Sequence, residues 1–212
     1  MDYTKIAVDI FNKLADGYQD KFMDVSIYHD SLFIFCKSLT KVNAEILELA
    51  CGPGNVTKYL LEKRHDFKIL GTDLAPNMIA LARINNPTAH FELMDCRAIS
   101  TLNKKFDGIV CGFGLPYLSK TEAIQFIQDA GEKLNANGIL YISTMEDDNS
   151  NSGFRTGSTG DKMYQNFHQV DYLTHALEDN HFRIIHLERK EYLHNDQKTT
   201  DLILIATKPY NE

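Results

Sequence analysis

The 212-residue sequence is long enough for one domain with a sizeable core, and its 43% apolar and 24% charged residues are typical of a soluble globular protein. The formal net charge of −7 argues against a broad nucleic-acid-binding surface, which needs clustered Lys and Arg. The longest apolar runs are too short to span a bilayer, and the N-terminus lacks the pattern of a signal peptide. We therefore expect a cytoplasmic protein that binds neither membranes nor nucleic acid.

The first 41 residues predict a helical cap. Two amphipathic segments, at about 2–16 and 24–40, are joined by a short connection at 17–20. Because they precede the first strand, we expect them to cover the carboxyl edge of a sheet. The alternative is a packing appendage with no ligand role.

Residues 42–212 predict a single α/β domain in which short apolar runs alternate with helical segments. Strands are expected at 44–50, 67–72, 89–94, 106–111 and 138–145, and helices at 55–65, 76–85 and 119–136, with 96–104 as weak helix or loop. Pro76 suits the first turn of its helix. Ser119 and Glu122 have the spacing of a capping box, and Asn137-Gly138 marks the expected end of that helix.

The C-terminal segment predicts a hairpin. Residues 182–192 and 200–207 are strand-like, and the loop His194–Thr199 between them is too short for a parallel crossover. The predicted fold is a Rossmann-like, doubly wound, mostly parallel seven-stranded sheet that ends in an antiparallel hairpin, with an N-terminal helical cover. The Gly- and Ser-rich stretch 147–161 predicts a mobile loop, and 147–168 is either an active-site lid or a disordered insertion.

A glycine turn, "ELACGPGNVT" at residues 48–57, follows the first predicted strand. It lacks the third glycine of the dinucleotide fingerprint G-x-G-x-x-G, since Thr57 stands there, and it lacks the lysine of a P-loop. Glu48 beside the turn is unfavourable for a phosphate and favourable for a cation. The turn therefore predicts a cationic nucleoside as its ligand.

Two further carboxylates follow the next two predicted strands. Asp73 ends the second strand, where an acid accepts hydrogen bonds from ribose hydroxyls in this fold class, and Asp95 ends the third. Because carboxyl ends of parallel strands meet at one edge, we expect both to converge with Glu48. Metal-ligand spacings are absent from the sequence, so no metal site is predicted.

With these features in register, the sequence resembles a class I S-adenosylmethionine-dependent methyltransferase of the small-molecule type. The matching stretches are ELACGPGNVT, GTDLAPNMI, ELMDCRAI, FDGIVCGFGLPYLS and LNANGILYISTME. The C-terminal helix and hairpin continue the likeness. Two positions depart from the usual pattern: Ala50 replaces the first glycine, and Ala75 replaces a helix-capping serine.

The resemblance implies a set of cofactor contacts. Gly52 and Gly54 would approach the methionyl part, with Glu48 near its amino group or sulfonium. Asp73 would bind the ribose, and Asp95 the adenine amino group. The remaining implied cofactor residues are Tyr18 at the carboxylate, Ala50 in the turn, Leu74 and Met78 on the adenine, the backbone of Cys96, and Cys111 and Phe113 beside the methionyl end.

Methyl transfer demands no particular catalytic residue, because the cofactor supplies the reactive group and the protein aligns the acceptor. Tyr117 and His168 are candidates for the acceptor side, against the simpler interpretations of a packing tyrosine and a helix-entry histidine. The predicted partner is a small-molecule acceptor. Alternatives are a macromolecule methyltransferase, an NAD-type oxidoreductase, and a regulatory protein that binds the cofactor without turnover.

Overall fold

The computed structural model describes residues 3–194 and 197–209, within which the strands form one main sheet and one separate hairpin. The strands of the main sheet are β1 (Glu45–Leu49), β2 (Lys68–Asp73), β3 (His90–Leu93), β4 (Phe106–Gly112), β5 (Leu134–Met145), β8 (Arg183–His194) and β9 (Gln197–Thr207), while β6 (Gly153–Thr156) and β7 (Lys162–Gln165) form the hairpin. The seven strands of the main sheet lie in the order β3-β2-β1-β4-β5-β9-β8. Strands β1 to β5 are parallel, and β9 is antiparallel to both of its neighbours. The predicted fold class is confirmed.

Helices cover both faces of this sheet. They are α1 (Thr4–Lys13), α2 (Ala15–Phe22), α3 (His29–Ser38), α4 (Asn55–Lys63), α5 (Pro76–Asn85), α6 (Lys120–Lys133) and α7 (Val170–Asp179). Residues from α3 and α4 share one of the two largest core clusters with the sheet, and residues from α6 and α7 share the other. None of the helices among the described residues is long and apolar enough to cross a membrane.

Strand β1 lies inside the sheet, between β2 and β4, and contributes to both of these clusters. Ile46 belongs to the cluster of α3 and α4, whereas Leu47 and Leu49 belong to the cluster of α6 and α7. All three side chains are fully buried. Burial of this parallel strand on both faces explains why its apolar residues occur on both faces rather than at alternate positions only.

The N-terminal cap differs in detail from the prediction. Residues 17–20, expected as a connection, lie inside α2. The helical structure is interrupted instead at Leu14, between α1 and α2, and again from Met23 to Val25. Gly17 is exposed, and a glycine in a helix costs about 1 kcal/mol relative to alanine. The partly buried Tyr18 packs next to it against the buried Ala75 and Met78, so tertiary packing outweighs the weak local preference.

Helix α5 receives its missing cap from α1. Ala75 makes no side-chain cap, as the sequence predicted. Instead, the Asn12 side-chain oxygen accepts the backbone N–H of Asn77 at 2.8 Å, and the Asn77 amide donates to the Asn12 carbonyl at 2.8 Å. An N-terminal N–H that lacks a partner within α5 is therefore satisfied by the cap helices.

The boundary between α6 and β5 lies earlier than predicted. The helix ends at Lys133, and β5 begins at Leu134, which pairs with Phe106. The register then shifts before Gly108 pairs with Ile139, and Asn137 has φ +61°. The residues expected to end the helix therefore form an irregularity in β5, because the buried Leu134 joins the sheet first.

The stretch predicted as a mobile loop contains ordered structure. Strands β6 and β7 pair from Gly153 opposite Gln165 to Thr156 opposite Lys162. The Tyr164 ring stacks on Tyr3 at 4.5 Å, and Lys13 Nζ lies 2.9 Å from a carboxylate oxygen of Asp161. The hairpin is thus docked along α1, and a role for 147–168 as a lid stays a prediction.

The C-terminal strands are longer than predicted. Their paired register runs from Arg183 opposite Thr207 to His194 opposite Gln197, so residues expected in the loop belong to the strands. Asn195 and Asp196, at the centre of the predicted loop, lie outside the described residues.

Replacing the α6 cap, Ser119→Ala, should lower the free energy of unfolding by ~1 kcal/mol, since the backbone N–H of Glu122 loses its acceptor. In the native capping box, Ser119 Oγ accepts this N–H at 3.3 Å, and Glu122 accepts the N–H of Ser119 at 2.7 Å. Urea unfolding measures the change. The neighbouring exposed Thr121→Ala is the matched control, and an equal loss in both variants would contradict the role of the cap.

Candidate functional site

The glycine turn connects β1 to α4 through left-handed backbone. Ala50, Gly52 and Gly54 have φ of +53°, +52° and +79°. A Cβ at Gly52 would meet only the Tyr18 ring, at 3.8 Å, whereas a Cβ at Gly54 would collide with the Asn86 amide. Gly52 therefore leaves its backbone open towards the carboxyl edge of the sheet, while Gly54 is required for packing against the end of α5.

Asp73, at the end of β2, is held by two backbone donors. One carboxylate oxygen accepts the N–H of Gly52 at 2.9 Å, and the other accepts the N–H of Ala75 at 2.8 Å. Burial raises the pKa of this carboxyl, and the two hydrogen bonds oppose that shift. Each oxygen retains a further lone pair, so the side chain can accept hydrogen bonds from a diol.

Asp95 follows β3 and caps the short 3₁₀ helix Cys96–Thr101 by accepting the N–H of Arg97 at 2.9 Å. The Arg97 guanidinium pairs with the same carboxylate at 2.7 Å and with Glu122 at 3.0 Å. The guanidinium thus fixes the orientation of Asp95.

A cavity at the carboxyl ends of β1, β2 and β4 joins these groups. The described residues that line it are Thr4, Ala7, Val8, Phe11, Tyr18, Ala50, Gly52, Asp73, Leu74, Met78, Met94, Asp95, Cys96, Gly112, Phe113, Gly114, Tyr117 and Leu118. The cavity therefore brings together most of the residues predicted from the sequence: Tyr18, Ala50, Gly52, Asp73, Leu74, Met78, Asp95, Cys96, Phe113 and Tyr117.

Aromatic side chains from the N-terminal cap and from the segment after β4 line the cavity together. The Phe11 ring, on α1, contacts Tyr18 at 5.6 Å and Tyr117 at 5.2 Å between centroids, both edge to face. Burial, and next the negative charge of Asp73, raises the pKa of Tyr18 to about 12. Burial likewise raises the pKa of Tyr117. Both phenols are therefore protonated at neutral pH.

The α1 residues of the cavity were not predicted individually. Thr4, Ala7, Val8 and Phe11 have the i, i+3, i+4, i+7 spacing of one helix face. That spacing was visible in the sequence, and the cap was expected to cover this edge, but periodicity alone does not reveal which face of a helix meets a cavity.

Glu48 does not line the cavity. It shares the strand face of Ile46, is 2% exposed, and accepts a hydrogen bond from the Thr57 hydroxyl on α4. Burial raises the pKa of its carboxyl to about 8. Strand alternation turns this side chain beneath α4, outside the cavity lining, and its predicted contact with the cofactor stays a prediction.

Gly54, Cys111 and His168 also lie outside the cavity lining. Cys111 is fully buried in the core, where burial raises the pKa of its thiol. His168 is fully buried, with its Nε2 2.8 Å from the Leu115 carbonyl oxygen and its Nδ1 in contact with the Tyr172 hydroxyl. Burial lowers the pKa of His168. His168 thus holds the segment before Tyr117 in place through the Leu115 carbonyl. A role for His168 as a base stays a prediction.

Comparisons with known proteins find methyltransferases among the relatives of this chain. Residues 46–138 match the family described as "Methyltransferase domain". The malonyl-[acyl-carrier protein] O-methyltransferase of Acetivibrio thermocellus is 30% identical over 114 residues, which are 50% of this chain and 37% of that protein. The trans-aconitate 2-methyltransferase of Variovorax paradoxus is 33% identical over 99 residues, 47% of this chain and 38% of that protein.

A solved structure shares the whole fold. The magnesium protoporphyrin IX methyltransferase of Synechocystis, determined with bound S-adenosylmethionine, has a TM-score of 0.73 at 16% identity, with 98% of each chain covered. The family match over residues 46–138 and the shared fold agree with the resemblance seen in the sequence. The chain spans under two-fifths of the length of both curated relatives.

The buried carboxyl of Glu48 makes stability depend on pH. Its pKa in the folded protein is about 8, above the ordinary value of 4.5. Between pH 4.5 and pH 8 the carboxyl is therefore protonated in the folded state and ionised in the unfolded state. The carboxyl therefore costs stability increasingly as pH rises through this window. Glu48→Gln does not ionise, and should gain stability relative to wild type by ~1–4 kcal/mol between pH 5 and 8.

Urea unfolding at several pH values measures this difference. The control is Glu62→Gln, at an exposed position on α4, for which no such divergence is expected. Parallel stability curves for wild type and Glu48→Gln would show that Glu48 is ionised in the folded protein.

Proposed function

We propose that the chain transfers a methyl group from S-adenosylmethionine to a small-molecule acceptor. The observation that carries the proposal is the Asp73 carboxylate, fixed by Gly52 and Ala75 and facing a cavity at the carboxyl edge of a methyltransferase-type sheet. The family match over residues 46–138 supports the same chemistry. A small acceptor is supported by the Variovorax relative, whose name specifies trans-aconitate.

The residues present fit the cofactor. Asp73 has the acceptor lone pairs that a ribose diol needs. Leu74 and Met78 supply an apolar surface for the adenine, with Asp95 and Cys96 at its edge. The open backbone at Gly52 and Ala50, between the ends of β1 and β4, accommodates the methionyl part.

S-adenosylmethionine, when bound, supplies a methyl group carried on a positively charged sulfur, and this sulfur becomes a neutral thioether once the methyl group is transferred. The side chains of this protein then have to position the acceptor and exclude water. Phe11, Tyr18 and Tyr117 suit this task because they form an apolar wall. Tyr117 remains the candidate on the acceptor side, with its phenol protonated.

Two other functions are less well supported. An NAD-type oxidoreductase would normally have a third glycine in the turn, where this chain has Thr57. The Thr57 hydroxyl donates a hydrogen bond to Glu48. A methyltransferase of macromolecules is disfavoured by the net charge of −7. The small-molecule acceptor, a cytoplasmic location and the lack of nucleic-acid binding stay predictions.

Asp73→Ala should weaken binding of S-adenosylhomocysteine by ~100-fold, since two charge-assisted hydrogen bonds to the ribose are lost. Isothermal titration calorimetry with this product, and separately with NAD, measures the effect. Asp73→Asn retains one side-chain oxygen acceptor and should show an intermediate loss.

Two variants separate this effect from general damage. Asp16→Ala removes an exposed carboxylate from α2, and Glu48→Gln replaces the buried carboxyl outside the cavity lining with an amide. Both should bind S-adenosylhomocysteine as wild type does. Micromolar binding of NAD, with none of the thioether, would refute the proposed function.

A further inference from the structure

A buried carboxyl that the proposed function does not use lies at the carboxyl edge of the sheet. Asp201, in β9, is fully buried and pairs with Met145, the last residue of β5. Because β9 is antiparallel to β5, this part of β9 lies beside the carboxyl end of β5. Asp201 shares its strand face with Ile203, which belongs to the core cluster of α3 and α4. The carboxyl therefore lies on the face of the sheet that α3 covers.

Two tyrosine hydroxyls satisfy this carboxyl. The Tyr28 hydroxyl donates to one oxygen of Asp201 at 2.7 Å, and the Tyr192 hydroxyl donates to the other at 3.3 Å. Burial raises the pKa of Asp201, and these two hydrogen bonds oppose the shift. A buried carboxyl without hydrogen bonds is strongly unfavourable, so both phenols are held firmly in these positions.

Tyr28 connects this carboxyl to the cavity. Its ring packs against the ring of Phe113, with 5.3 Å between the centroids and 52° between the planes. Phe113 lines the cavity directly after β4. Within the described part of the chain, Tyr192 makes no ring contact with Phe113, although it binds the same carboxyl. The contacts thus run from Asp201 through Tyr28 to the cavity wall.

The backbone of Phe113 is strained and is held separately from its ring. Phe113 has φ +56°, in the left-handed region that non-glycine residues rarely adopt. Its N–H donates to the backbone carbonyl and to the hydroxyl oxygen of Ser143, at 3.2 and 3.1 Å. These bonds fix the backbone but not the side-chain torsions. The position of the ring therefore depends on the side chains that pack against it.

The segment that carries Phe113 also borders the glycine turn. The next residue, Gly114, approaches this turn so closely that a Cβ there would lie 3.1 Å from the Cβ of Ala50. Ala50 and Phe113 both line the cavity. A shift of the segment after β4 would therefore also reach the part of the cavity that the glycine turn forms.

We propose that Tyr28, oriented by Asp201, is a positioning residue that holds the Phe113 ring at the cavity wall and thereby supports ligand binding there. This inference rests on the proposed function for the identity of the ligand. It extends the site to Tyr28, directly before α3, and to β9. Neither Tyr28 nor any described residue of β9 lines the cavity, so both act through Phe113.

Two matched hydroxyl deletions test the proposal. Tyr28→Phe and Tyr192→Phe each remove one donor to Asp201, but only Tyr28 contacts Phe113. Calorimetry with S-adenosylhomocysteine should show about tenfold weaker binding for Tyr28→Phe, since a hydrogen bond to a charged group biases an equilibrium by about this factor. Tyr192→Phe should bind as wild type does. Urea unfolding compares the stability that each variant loses.

A second pair of variants tests whether the effect passes through the ring of Phe113. Phe113→Leu keeps an apolar side chain but removes the ring that Tyr28 contacts. In this background Tyr28→Phe should weaken binding by less than about twofold, because coupled residues are not additive.

A third measurement needs no ligand. The chain contains no tryptophan, so Phe113→Trp introduces a single fluorescent reporter at the cavity wall. Adding Tyr28→Phe should lower the fluorescence anisotropy of this reporter, because the side chain at position 113 becomes more mobile. Adding Tyr192→Phe should leave the anisotropy unchanged.

Equal loss of binding in Tyr28→Phe and Tyr192→Phe would overturn the inference, since both hydroxyls would then act through stability alone. Unchanged binding in Tyr28→Phe, full additivity with Phe113→Leu, or unchanged anisotropy would also contradict it. A failure of the proposed function is distinguishable from these outcomes. Wild-type protein would then not bind S-adenosylhomocysteine, whereas the anisotropy would still report whether Tyr28 holds the side chain at position 113.

Discussion

The site depends on one carboxylate that joins two elements of the sheet edge. Asp73 accepts the N–H of Gly52 with one oxygen and the N–H of Ala75 with the other. The first bond holds the turn between β1 and α4, and the second holds the approach to α5. A single side chain thus sets the separation between the glycine turn and the helix whose first residues border the cavity.

The two layers of helices make this arrangement rigid. Strand β1 is buried on both faces, so its end cannot shift without disturbing both core clusters. The left-handed backbone at Ala50 and Phe113 occurs after the neighbouring strands β1 and β4. Non-glycine residues adopt this conformation only where the surroundings impose it. Here the two residues line the cavity between the ends of these strands.

Much of the site was predictable because parallel strands place their carboxyl ends at one edge. That rule identified Asp73, Asp95 and the turn at Gly52. It does not determine on which face of the sheet Glu48 lies, because side chains alternate along β1. Nor does it reveal the close packing of Gly54 against Asn86, 32 residues later, which depends on the tertiary structure.

The boundaries at the cap and at β5 were harder to predict for the same reason. Gly17 and Asn137 are local signals for a break, yet Gly17 lies within a helix and Asn137 within a strand. In each case neighbouring buried residues, Ala15 and Leu134, gain more from joining the core than the local signal costs. Short-range preference therefore located the elements but not their ends.

The docking of α1 against α5 has a consequence for exchange of ligands. One wall of the cavity is a helix that is attached to the domain through Asn12, and to the β6–β7 hairpin through Tyr3 and Lys13. Any molecule that contacts this wall stabilises the docked helix by mass action, and local detachment of the helix exposes the same molecule to solvent. Occupancy of the cavity and amide protection along α1 are therefore thermodynamically linked.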